Sequence, residues 1–274
     1  MHLRPHLRHP QRCAFALLGA CAAPTEPDRT EPATWLLTNL EASDDEVAAH
    51  IEHLDAWARP LGRDAALEDR VFSPAAPSEE ALAGLIHAEG GPELTAIGAA
   101  RWSPHDLDVH QELLGLTDRA CVEAAERWTR TWTAGGDCFP DGVCDGATAD
   151  EEVRWPLAGS TFDYIATSRW RTVELIDDRR AMVGRSHLPA EATSARPGDR
   201  LVERYALQVW VEDPEDSGST WRIDATWVGL TSDAAPLTDL LLADLDAAWA
   251  RQEQAIDDDV LDAPEACAST EISP

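Results

Sequence analysis

His50 and His53 stand three residues apart with Glu46 nearby, so on a helix the three could share a face. Zincin-type sites place two histidines four apart around a glutamate, and this spacing therefore reads as two surface histidines. His105 and His110, five apart, fit one helical face poorly, and a metal site there is weaker still. No GxSxG occurs, and the adjacent Ser186 and His187 of a strand point to opposite faces, which leaves a nucleophilic triad unsupported. Asp177 and Asp178 could be glycosidase carboxylates, yet in a chain with 51 acids such pairs arise by chance and mark solvated turns. Asp137, Asp141 and Asp145 recur every four residues, whereas an EF-hand loop needs ligands at alternate positions and a bidentate Glu at the twelfth. No catalytic residue, metal ligand or cofactor is assigned, and the expectation is a protein that is not an enzyme.

The 22 basic residues are all arginine. Schiff-base chemistry, pyridoxal phosphate anchoring and a Walker lysine are excluded, since each needs a lysine amine. A net charge of −29 repels nucleic acid, which is not an expected partner. Tryptophan is enriched, 11 against four Phe and two Tyr, and indoles suit either a packed sheet core or a pocket wall. The functional expectation is that Trp221, Trp227, Trp249 and Tyr205 line a cavity for a hydrophobic small molecule, with Arg185 or Arg204 meeting its polar head. Plain core packing is the competing account.

The elements that would position these residues fall in two regimes. From Leu36 to about Leu116 the signals are helical: "SDDE" (Ser43 to Glu46) is a capping box followed by Val47, Ile51, Leu54 and Ala58 at helical spacing. A short helix is predicted from Ser78 to Ile86. After the strand "TAIGAARW", Ser103 is expected to cap a helix with Pro104 at its first position. From about Arg127 to Thr231 the chain alternates as β-strands. "TFDYIATSRWRTVELI" changes phase near Trp170, which predicts a bulge or strong twist. "LVERYALQVWVED" and "TWRIDATWVGL" alternate apolar and polar residues as half-buried strands. A helix then runs from about Leu237 to Ile256 with Leu237, Leu241, Leu245, Ala248 and Trp249 as its apolar stripe.

The N-terminus is built as a secretory signal, with Arg4, Arg8 and Arg12 before the apolar run "CAFALLGA". "LGAC" resembles the lipobox of bacterial lipoproteins. That resemblance implies recognition of Leu18, Gly19 and Ala20 by the signal peptidase, removal of residues 1–20 and lipidation of Cys21, with Ala22 implying outer-membrane sorting. The protein would then be lipid-anchored in the cell envelope, facing the periplasm or the cell surface. Ala22 to Thr34, with Pro24, Pro27 and Pro32, reads as an extended tether. With Cys13 removed and Cys21 acylated, Cys121, Cys138, Cys144 and Cys267 remain, an even number for an oxidising compartment. The turn-rich "GGDCFPDGVCDG" makes Cys138–Cys144 the natural local bridge and leaves Cys121 with Cys267, although three connectivities are possible.

The order of strand, helix, antiparallel strands and long C-terminal helix over Thr95 to Ile256 is similar to the helix-grip fold of START and polyketide-cyclase-like proteins. The "GGDCF…C" loop and "RRAMVGRS" also resemble uncharacterised lipoproteins of high-GC Gram-negative bacteria. The first resemblance implies an α+β class in which a curved antiparallel sheet packs on the C-terminal helix, with additional N-terminal helices. The expected organisation is a helical part at 35–94, a helix-grip-like domain at 95–260 and a flexible tail at 261–274. The expected function is a lipid-anchored envelope protein that binds a hydrophobic molecule or lipid between sheet and C-terminal helix. Alternatives are a protein-interaction or structural lipoprotein without a ligand, and a hydrolase with an unrecognised site.

Overall fold

The computed structural model describes residues 30–85, 91–194, 196–231 and 237–261. Signal, lipobox, Cys21 and Cys267 lie outside the described residues. Two helices open the described chain, α1 (Thr30–Thr38) and α2 (Asp44–Ala58). Thr30 to Thr34, read from sequence as tether, instead form the first turns of α1, because Pro32 suits an early helical position and Ala33 is fully buried. The carboxylate of Glu46 accepts from both the Ser43 N–H (3.2 Å) and the Ser43 hydroxyl (2.6 Å), which fixes the start of α2.

The strands are β1 (Val71–Phe72), β2 (Thr95–Ser103), β3 (Arg127–Ala134), β4 (Gly146–Leu157), β5 (Ser160–Glu174), β6 (Arg180–His187), β7 (Ala192–Thr193), β8 (Arg200–Asp213) and β9 (Asp216–Thr231). They form one antiparallel, curved and unclosed sheet in the order β1-β2-β9-β8-β6-β5-β4-β3, with β7 pairing with β8. α3 (Leu107–Leu113) follows β2, and α4 (Leu237–Asp257) closes the described chain. The α+β class, the antiparallel sheet on a long C-terminal helix and the additional N-terminal helices are as expected.

Three local expectations need correction. The segment 78–86 holds only a 3-10 turn at Ala81–Gly84 within its described part. Ser103 is the last residue of β2, and Asp106 caps α3 by accepting from the Val109 N–H at 2.9 Å. Of the bulge or strong twist expected near Trp170, the bulge is absent, since the pairing of β5 with β4 and β6 runs without a shift from Ser160 to Glu174. The change of phase arises because both faces of the sheet are covered. Phe162, Tyr164, Ala166 and Trp170 face one layer, while Val173 and Leu175 join the core formed with α1 and α2.

That outer core contains Leu36, Leu37, Ile51 and Leu54 of the helices against Tyr205, Leu207, Val209, Trp221, Ile223 and Trp227 of the sheet. On the inner face α4 packs Leu241 against a cluster with Val153, Trp155 and Phe162. α3 and the loop between β3 and β4 cover the rest of that face through Leu107, Leu114 and Phe139, which meet Trp170, Met182 and Trp210. The loop is closed by a Cys138–Cys144 bridge with a Cα separation of 5.4 Å, within the ordinary disulfide range.

Candidate functional site: a charged, tryptophan-walled cavity under the last helix

Between α4 and the inner face of the sheet lies a cavity of about 60 Å³. Its walls include Trp128 of β3, Trp155 of β4 and Trp170 of β5, with Arg130, Glu151, Arg204, Arg222, Asp224 and Asp244 supplying charge. Strand period places the acids. In β4, Ala147, Ala149, Glu151, Val153, Trp155 and Leu157 are the buried set, so Glu151 occupies an inward register that its neighbours demand. Arg130 is directly opposite it across the β3–β4 ladder.

The two form a buried ion pair. Arg130 Nε donates to Glu151 Oε1 at 2.9 Å, Ser168 donates to Glu151 Oε2 at 2.6 Å, and Arg130 also donates to the Leu114 carbonyl. The guanidinium lies 4.3 Å from the centroid of Trp170. Burial pulls Arg130 down to about 10, which still leaves it charged at neutral pH. Burial also opposes ionisation of Glu151, but Arg130 and the Ser168 hydroxyl hold its carboxyl below the usual range.

A second pair ties the helix to the sheet. Arg222 Nε is 2.8 Å from Asp224 Oδ2, Arg222 donates to Gln252 of α4, and the Trp249 indole N–H donates to Asp224. Burial pushes Asp224 up, against Arg222 and Trp249, which favour the carboxylate. Arg222, Asp224 and Thr226, read from sequence as the polar face of a half-buried strand, are thus buried beneath α4.

Arg204 differs from these arginines. Its guanidinium carbon sits 5.0 Å from the centroid of Trp155 and 6.0 Å from that of Trp128, and Nε has no hydrogen-bond partner. Among the described residues no carboxylate lies within ion-pair distance of it. Asp244 accepts from the Trp155 N–H at 3.1 Å. Burial pushes its carboxyl up to about 6, opposed by the Trp155 bond and by Arg204. Tyr164, edge-on to Trp155 at 6.5 Å, is pushed up to about 12 by burial, and its hydroxyl is unpartnered.

The structure divides the residues expected to line the cavity. Trp249 and Arg204 are on the α4 side. Trp221, Trp227 and Tyr205 face α1 and α2 on the opposite side of the sheet, because odd and even positions of a strand alternate faces. The Arg185 guanidinium also turns outward, donating to the Leu37 carbonyl at 3.2 Å and pairing with Glu41. Sequence reasoning passed over Trp128, Trp155 and Trp170 as walls. It also passed over Glu151, whose lone acid in the inward register of β4 is a signal the sequence does carry.

The histidine pairs take structural roles. His50 stacks on Trp35 with ring centroids 3.7 Å apart, and His53 meets it edge-on at 6.5 Å. His105 and His110 do approach, at 6.3 Å, because α3 begins after His105. His110 is buried against the Ser103 hydroxyl at 2.9 Å, and burial lowers it to about 3, so it is neutral. His105 lies 3.3 Å from Glu253 and 3.5 Å from Asp257 of α4. Among the described residues no three His, Cys, Asp or Glu side chains are grouped to hold a metal ion. A wider hollow of about 640 Å³, lined by Trp35, His50 and His53, opens to solvent and contains no buried unpartnered donor among the described residues.

No family model matches this chain. No curated protein matches it either. Solved structures give a broad likeness. The human StarD13 (DLC2) lipid transfer and protein localization domain aligns over 59% of this chain and 77% of its own, with 12% identity and a TM-score of 0.34. The Zhui aromatase/cyclase from Streptomyces sp. R1128 aligns over 66% of this chain and 100% of its own, with 16% identity and a TM-score of 0.31. A STAR-related lipid transfer protein fragment from Xanthomonas axonopodis aligns over 62% of this chain and 81% of its own, with 13% identity and a TM-score of 0.30. Scores this low carry no argument about ligand or activity, which rest on the cavity itself.

Proposed function

We propose that this is a lipid-anchored cell-envelope protein whose domain binds a small molecule between the sheet and α4 without transforming it. The observation that carries the binding role is Arg204, a guanidinium held against two indole rings in the cavity wall with its Nε unpartnered and Asp244 as the carboxylate that feels its charge. A ligand lays its apolar part against Trp128 and Trp155 and its polar head on Arg204. The anchor rests on the "LGAC" motif, with Cys21 as the acylated residue and the outer membrane as destination. The interaction-lipoprotein alternative calls for an exposed aromatic patch, and the large exposed hydrophobics among the described residues are Val143, Ile165 and Ile176, none of them aromatic.

Native mass spectrometry and organic extraction of the purified protein test the binding role; a cavity that carries only water after every extraction and titration rejects it. Intact mass of the protein recovered from bacterial membranes tests the anchor. A diacylglyceryl adduct on a chain that begins at Cys21 is expected, and a free Cys21 thiol or a retained Met1 overturns it. One observation favours a second reading as an acid–base enzyme: Asp244, titrating near neutrality beside Arg204, has the poise of a proton-transfer group. Turnover lost in Asp244→Asn with ligand binding retained would establish that reading.

A further inference from the structure

Two buried hydrogen-bond donors in the cavity wall lack an acceptor, Arg204 Nε and the Trp128 indole N–H. Buried polar atoms are nearly always paired, and leaving one unpaired is costly. Arg and Trp offer no acceptor, so the missing partner is a group rich in lone pairs. One of the donors is cationic, which selects an anion. Size narrows it further: at roughly 10–15 Å³ for each water-sized body, a cavity of about 60 Å³ admits only a handful of heavy atoms. Leu241 and Leu245 give the lining an apolar stretch that suits a short alkyl tail, with Asp244 between them.

Resting on the binding role proposed above, we infer that the ligand is a short-chain carboxylate of about two to four carbons, its oxygens taking the donors of Arg204 and Trp128. The guanidinium supplies a charge-assisted bond, and the indole N–H adds a second donor. The tail lies against the Trp155 ring.

The test is titration of the purified full-length protein with acetate, propionate and butyrate, followed by tryptophan fluorescence and by NMR of a 13C-carboxyl label. Chloride, inorganic phosphate and 1-butanol serve as controls. Saturable binding of the short acids is expected, weakened about tenfold or more in Arg204→Gln and less in Trp128→Phe, which keeps an aromatic ring and deletes the donor. Circular dichroism unchanged in both variants shows that the fold is retained. No saturation by any of the three acids up to about 10 mM, or equal binding by 1-butanol or by the Arg204→Gln protein, overturns the carboxylate assignment. If a larger apolar compound binds the cavity independently of Arg204, the carboxylate assignment fails while the binding role stands. If nothing displaces water there, both fail.

Discussion

Trp170 and Gly184 face one another across the β5–β6 ladder, and the indole of Trp170 occupies the space where a side chain at position 184 would begin. A Cβ on Gly184 would stand 2.4 Å from Trp170 Cδ1, well inside contact distance. The indole cannot yield easily, because Arg130 lies over its face at 4.3 Å and Trp132 meets its edge at 5.5 Å. Gly184→Ala is therefore expected to lower stability by about 1–3 kcal/mol through overpacking. Urea denaturation measures it, and an unchanged midpoint would show that Trp170 has room to move.

Glu151 and Arg130 are each about 2% exposed at the side chain, so neither can recruit bulk water if the other is removed. Glu151→Ala should cost about 3–5 kcal/mol by stranding a buried guanidinium. The double variant Glu151→Leu with Arg130→Met should recover much of that loss. Chemical denaturation of the three proteins decides, and a double variant no better than the single one would contradict the account.

Asp244 makes a pH prediction with a definite sign. Its carboxyl titrates at about 6 in the folded protein against 3.8 for the free group, so the folded state holds its proton more tightly. Stability from this group is therefore fully present below pH ~4 and is lost as pH rises through about 6, a difference on the order of 3 kcal/mol. Asp244→Asn should be more stable than the parent at neutral pH and should match it at acid pH. Because Asp55 and Asp224 are also raised, the comparison between parent and variant isolates Asp244.

Reduction of Cys138–Cys144 releases a short loop whose inner residue, Phe139, is fully buried against Trp170 and Trp210. Loop closure across a sequence separation of six is worth about 2 kcal/mol. Cys138→Ser with Cys144→Ser should lower the thermal midpoint by several degrees and leave the far-ultraviolet spectrum of the sheet intact. Loss of the β signal itself would mean that the loop is needed to form the sheet.

What could be read locally was read well. The Ser43–Glu46 cap, the strand at Thr95, the two long strands at 200–213 and 216–231 and the stripe of α4 all depend on neighbours within a few residues, and the structure places each near its expected bounds. Helix ends in the less periodic segments moved. Pro104 drew the start of α3 too early, and Asp106 supplies the cap instead.

The cavity was half legible for a different reason. Alternation in β8 and β9 correctly separated Tyr205, Trp221 and Trp227 from Arg204, Arg222 and Asp224, but nothing local states which face meets which helix layer. Hydrophobicity favoured the tryptophan face as the one under α4. The structure instead gives that face to α1 and α2, and turns the charged face inward, where Gln252, Trp249 and the arginine–carboxylate pairs satisfy one another. Composition and period thus determined the α+β class, the strands and the stripe of the last helix, because these arise from interactions between near neighbours. Only the tertiary structure decided that Arg204 lies against Trp128 and Trp155 with its Nε unpartnered, because an ion's partner is set by long-range packing that brings β3, β4, β8 and α4 around one small space.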